Sequence, residues 1–160
     1  MAVLSWGEPG IYIKKLGDTS AKWKKLPTPV EDSTQLSTTK GEKKEAKVEG
    51  GANEDVKFAK NTYALVFNIR MAKGRQRPIE DEDGLITDNY AVALQPEDKD
   101  TDGFIIDKST VSVEDGWTAA DGGILIYTFD ALKPDTGKQV KWGKVLVTGT
   151  EDAYDVSLQD

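Results

Sequence analysis

Three carboxylates at alternating positions form the sharpest chemical motif in the sequence. The run Asp98-Lys99-Asp100-Thr101-Asp102-Gly103-Phe104-Ile105 starts the way a calcium loop starts. Hard oxygen ligands stand two residues apart, followed by a glycine and, two further on, an apolar residue. Asp98, Asp100 and Asp102 are therefore the candidate metal ligands. The position that would close such a loop with a bidentate glutamate is Ser109, and the flanks read as strands. An acidic turn between two strands explains the same residues, since Asp and Gly both favour turns.

Other chemistry is limited by what the chain lacks. It has no Cys, so disulfides, thiol nucleophiles and thiolate metal sites are out of reach. It has no His, which removes the commonest general base and the usual zinc ligand. A Ser-His-Asp triad cannot be built. Carboxylates remain, in Glu80 to Asp83, Glu97-Asp98 and Glu151-Asp152. A glycosidase needs only two, roughly 5–10 Å apart, but acidic residues are so abundant here that pairing singles out no site. The chain reads as no conventional enzyme, and no cofactor is expected.

Charge and aromatics point towards surfaces. The net charge is −7, from 28 acidic and 21 basic residues, and such a chain repels phosphate overall. Specific nucleic-acid binding is not expected. In Ala21-Lys22-Trp23-Lys24-Lys25-Leu26 a tryptophan alternates with lysines, and a half-buried strand or a subunit contact accounts for it better than base stacking does. Trp142 lies in an apolar run and is expected in the core. Trp6 is a candidate interface anchor. The segment Ala72–Gly84 is bipolar: Lys73, Arg75 and Arg77 are followed by Glu80, Asp81, Glu82 and Asp83. Opposite charges along one projecting loop would complement the same loop, or its socket, on a neighbouring copy, and would set register more than affinity. A solvated loop explains the same residues.

The elements that must position these groups are strands. Period 2 outcompetes period 3.6 nearly everywhere. Over Asn61–Met71 the side chains of Tyr63, Leu65, Phe67, Ile69 and Met71 share one face; over Ile124–Leu132 it is Leu125, Tyr127, Phe129 and Ala131; over Asp88–Gln95 it is Tyr90, Val92 and Leu94. Glu54–Lys60 sets Val56 and Phe58 against charge, and Lys43–Glu49 sets Ala46 and Val48 against charge, with Gly50-Gly51-Ala52-Asn53 as a hairpin turn between them. Further strands are expected at Ile11–Leu16, Phe104–Asp107, Thr110–Val113 and Gln139–Thr148, the last with a bulge near Gly143. Gly17–Gly41 reads as a loop with a weak strand near Gln35–Thr39. One short helix is placed between Pro78 and Asp88. No apolar run approaches the roughly 20 residues of a spanning helix, and the N-terminus does not read as a secretory signal. The expectation is one all-β domain over residues 1–160, mainly antiparallel, a β-sandwich or small β-barrel with at most one short helix.

Some of these residues resemble a known family. The stretch Ser37 to Gly51 followed by the long strand Asn61–Arg70 looks like the central hairpin of phage major tail tube proteins. Tyr127-Thr128-Phe129-Asp130-Ala131-Leu132-Lys133-Pro134 and the closing strand through Trp142-Gly143-Lys144 are similar in style. The resemblance implies a β-sandwich or small barrel with one flanking helix. It also implies hexameric rings that stack into a hollow tube, contacts with other tail proteins, and a lumen through which DNA passes without specific binding. Assembly in the host bacterial cytoplasm and residence in the virion tail follow from it. The family's stacking elements carry over to Met1–Pro9 and to the loops Gly17–Gly41 and Ala72–Gly84, so Trp6 and the charges of the bipolar segment become candidate self-assembly residues. No membrane association is expected. The alternative from a different class is an accessory β-sandwich that recognises carbohydrate or protein.

Overall fold

The computed structural model describes residues 6–17, 22–150 and 153–159. Its strands are β1 Gly10–Lys15, β2 Lys24–Lys25, β3 Gln35–Thr39, β4 Lys43–Lys47, β5 Asn53–Phe58, β6 Thr62–Arg70, β7 Leu85–Gln95, β8 Gly103–Thr118, β9 Gly122–Ala131, β10 Lys141–Gly143, β11 Val145–Thr150 and β12 Ala153–Leu158. The fold is all-β, every strand pair is antiparallel, and no helix occurs among the described residues.

The main sheet runs β2-β1-β7-β8-β9-β6-β3. β8 is its spine. The N-terminal part of β8 pairs with β10 on one side, from Gly103↔Gly143 to Ile105↔Lys141, and its C-terminal part pairs with β9. The alternation in β6 and β9 builds the core directly: Leu65, Phe67 and Ile69 lie opposite Phe129, Tyr127 and Leu125, and all six are buried. The Phe67 and Phe129 rings stack at 5.6 Å. Ile11, Ile13, Val92, Ile106, Val111 and Val113 join the same cluster. At about 1.5–3 kcal/mol for each large apolar side chain withdrawn from water, this cluster is the main source of stability.

A strap, residues 26–34, links β1 to β6. At one end the Leu26 N–H donates to the Ile11 carbonyl (2.8 Å), and Leu26 is buried in the cluster. At the other the Val30 N–H donates to the Asn68 carbonyl (2.8 Å), and the Ser33 hydroxyl accepts from the Asn68 N–H (3.2 Å). The strap thus bonds to β1 and to β6, near the two ends of one sheet. A second, small layer covers the outside: Val147, Tyr154, Val156 and Leu158 of the β11–β12 hairpin, with Trp23, pack on Tyr12, Ala93 and Ile105. Trp23 exchanges backbone hydrogen bonds with Tyr154 (3.0 and 3.1 Å), so it sits half-buried beside strand partners, as expected.

Several expectations are corrected. The segment from Pro78 to Asp88 holds no helix. It is a turn leading into β7, because Asp83 and Gly84 both take positive φ (50° and 87°), which a helix does not tolerate. Phe104–Asp107 and Thr110–Val113 are one continuous strand; the intervening charge of Asp107 is met by Lys141 from β10. The expected bulge at Gly143 is a sheet change instead: β10 pairs with β8, and after Lys144 the chain enters β11 in the outer layer. The loop Gly17–Gly41 contains β2 as well as the anticipated β3. Trp142 is not core; it is 60% exposed, with its ring 5.1 Å from that of Phe104. Finally, β4 and β5 form the expected hairpin, but Ala46, Val48, Val56 and Phe58 have no buried side, and every residue of both strands is exposed.

Candidate self-assembly surface

The β4–β5 hairpin is held at its root and exposed beyond it. The Gly41 N–H donates to Asn61 Oδ1 (3.0 Å) and the Ala59 N–H to the Glu42 carbonyl (2.9 Å). Gly41 is required here, since a Cβ would lie 1.9 Å from the Ala59 carbonyl oxygen. Beyond the root, Val48, Val56 and Phe58 face solvent, and the ammonium of Lys40 sits 5.1 Å from the Phe58 ring centre. Ion pairs Lys43–Glu45 (2.6 Å) and Lys47–Glu45 (3.5 Å) run along the surface; pairs of this kind contribute little. Each of β4 and β5 has a single strand neighbour, as does β3, so their outer edges present backbone donors and acceptors.

The bipolar loop does not project as a free charged arm. Ile79 is buried in the core, and this pins the loop against β8 and β9. Arg77 makes a two-pronged contact with Asp115 (3.1 Å each) and a third bond to Asp81 Oδ1 (2.8 Å). The hydrogen bond to Asp115, opposed by burial and helped by the charges of Asp115 and Asp81, holds its guanidinium above the ordinary arginine value. Asp81, whose side chain is only 5% exposed, also accepts from the Gly84 N–H (2.8 Å). Arg75 donates to the Arg70 carbonyl (2.9 Å). Lys73, Glu80, Glu82 and Asp83 remain exposed. So the structure brings Arg77 and Asp81 together with Asp115, a residue the sequence pattern did not single out, and leaves the acidic end as a presented tip. Glu82 and Leu85 close that tip with two backbone bonds of 3.0 Å. Beneath it the Tyr127 hydroxyl approaches the Ile79 carbonyl at 3.5 Å, and burial pushes its pKa up to about 12.

The candidate metal ligands do not converge. Asp98 Oδ1 accepts from the Asp100 N–H (3.0 Å), and the Asp98 carbonyl accepts from Thr101, the geometry of an Asx turn. Asp100 reaches Lys144 (3.0 Å) and Asp102 is exposed. Among the described residues no three acidic side chains gather to hold a metal ion.

Of the tryptophans, Trp6 is 78% exposed on the segment that the Glu8 N–H ties to Glu97 (3.1 Å); residues 1–5 of the candidate stacking segment lie outside the described residues. Trp142 stands at a cleft of about 650 Å³ between the root of the hairpin and the loop from Lys133 to Val140. The sequence placed Trp142 in the core and so missed this surface; its lysines, Lys60, Lys133 and Lys138, are far apart in sequence and carry no local signal. Compared with known proteins, the chain matches no family model and no curated sequence.

Proposed function

We propose that this chain is a structural subunit that self-assembles into rings stacking into a phage tail tube or a related injection tube. The observation that carries the reading is the β4–β5 hairpin. A two-stranded hairpin alone in water is marginal, and this one exposes Val48, Val56 and Phe58 along strands with no covered face. Seating on a neighbouring copy would supply the missing contacts and cover the open strand edges. The net charge of −7 suits a conduit that must not bind the nucleic acid passing through it.

The test replaces residues 44–57 with a short turn. The variant keeps its β-sheet circular dichroism and melts within about 2 °C of the parent, since the hairpin strands contribute no buried residue. Negative-stain microscopy of the parent shows rings or tubes and that of the variant shows none. Tubes formed equally well without the hairpin would remove its role.

A second reading, an accessory β-sandwich that recognises carbohydrate, is favoured by Trp142 exposed beside the cleft. Quenching of tryptophan fluorescence by soluble glycans, abolished in Trp142→Ala, would support it.

A further inference from the structure

Two surfaces at opposite ends of β8 complement each other, and neither meets its complement among the described residues. The first is the cleft beside Trp142. Lys60, Lys133 and Lys138 line it together with Tyr63, Gln139 and Trp142, and among the described residues no carboxylate lines it; Asp135, in the same loop, is exposed and outside the lining. In a chain of net charge −7 such a concentration of cations is against the overall balance. The second is the tip Glu80–Leu85. Glu80, Glu82 and Asp83 are exposed, and Leu85 beside them is 74% exposed. The cations nearest in sequence are already engaged: Arg77 with Asp81 and Asp115, and Arg75 with the Arg70 carbonyl. The tip is also rigid. Its two central residues have the positive φ values of a tight hairpin turn, the closing backbone bonds are both made, and Asp81 clamps the Gly84 N–H from below. A preorganised element loses little conformational freedom on docking.

The two surfaces cannot meet inside one molecule. Trp142 pairs with Phe104, near the start of β8, and Gly84 lies against Val113, towards its other end. The stretch of strand between Phe104 and Val113 is roughly 30 Å long at about 3.3 Å per residue. We infer that the acidic tip Glu80–Leu85 of one copy docks in the lysine-walled cleft of the next. Glu82 and Asp83 meet Lys60, Lys133 and Lys138, and Leu85 covers the exposed ring of Trp142. The contact is head-to-tail, so it propagates from copy to copy instead of ending at a dimer. The inference rests on the self-assembly reading and names the partner surface for it.

Charge reversal tests this with the full chain. One variant carries K60E, K133E and K138E; the other carries E80K, E82K and D83K. Sedimentation velocity at low salt is expected to show each variant alone assembling at least about tenfold more weakly than the parent, because attractive pairs become repulsive. An equimolar mixture recovers assembly, since the acidic cleft of the first variant fits the basic tip of the second, and the unchanged basic cleft of the second fits the unchanged acidic tip of the first. The second readout needs no tubes. A carbodiimide, which joins touching carboxylates and amines, is applied to a mixture of 14N- and 15N-labelled parent chains. The expected product joins Lys60, Lys133 or Lys138 of one isotope to Glu80, Glu82 or Asp83 of the other. Assembly unaffected by either reversal, or cross-links elsewhere only, overturns this contact and leaves the tube reading standing. A parent that neither assembles nor cross-links between copies sinks both.

Discussion

Tyr127 shows how one buried hydroxyl can be read out in solution. Its ring stands opposite Phe67 in the core and its hydroxyl reaches only the Ile79 carbonyl, at 3.5 Å. Burial favours the neutral phenol, so the folded-state pKa of about 12 lies above the unfolded value of 10.0. The group's contribution is therefore complete below pH 10 and is lost as pH rises towards 12, where the folded state must either ionise a buried phenol or open. Two pKa units correspond to roughly 2–3 kcal/mol at full extent. Tyr12 and Tyr90 are raised in the same direction, chiefly by burial, so the alkaline limb has more than one contributor. For Tyr127→Phe, urea titrations at pH 7 should give a stability within about 1 kcal/mol of the parent, because the bond removed is long. Between pH 10 and 12 the variant should lose less stability than the parent. An identical alkaline slope in both would place the titration elsewhere. None of this is legible in the sequence, where Tyr127 is one more apolar position in an alternating run.

At the scale of elements, the alternating pattern located strands far better than it located their environment. Leu65, Phe67 and Ile69 in β6 alternate and are buried; Val56 and Phe58 in β5 alternate and are bare. The period records only that a strand has two different faces. Whether anything lies above the apolar one depends on partners distant in the chain, or on another chain. The same limit explains Trp142, which follows the buried Val140 in an apolar run but lies on a three-residue edge strand at the rim of the core. Charge misled in the opposite sense at Asp107 and Lys108, where a polar interruption split one strand into two expectations although Lys141 satisfies Asp107 from the neighbouring strand. Gly103 offers a test of the element boundary. A Cβ there would lie 2.1 Å from the Leu94 carbonyl oxygen and 3.0 Å from Val145, and backbone cannot yield as a flexible side chain can. Gly103→Ala should part β7 from the start of β8 and cost about 2–4 kcal/mol, seen as a fall in melting temperature of roughly 5–15 °C. A variant melting with the parent would mean that the strands are not packed this closely.

At the scale of the whole molecule, the all-β class and the hairpins were readable because turns such as Gly50-Gly51 and Asp121-Gly122 announce themselves locally. The layering was not. β12 alternates Tyr154, Val156 and Leu158, but which sheet face it covers follows from the pairing of β11 with β12 and from the sheet change after Lys144. The outer layer shields Tyr12, Ala93 and Ile105, so its removal is costly in a particular way. A chain ending at Lys144 should bind a hydrophobic dye strongly and scatter light at micromolar concentration, since it bares an apolar face on a long sheet. A monodisperse truncated chain with the parent's melting temperature would show the layer to be dispensable.

The strap from Leu26 to Thr34 carries a consequence for how the molecule comes apart. It alone ties β1 to β6 by main-chain bonds among the described contacts, and it turns at Asp32, which is exposed with φ of 59°. A protease cutting between Leu26 and Val30, whose amides bond to β1 and to β6, would break no ladder between strands, yet it would sever that tie. The nicked protein would keep its spectrum at rest and gape under load, which makes a single peptide bond the natural place to look for the first step of mechanical failure.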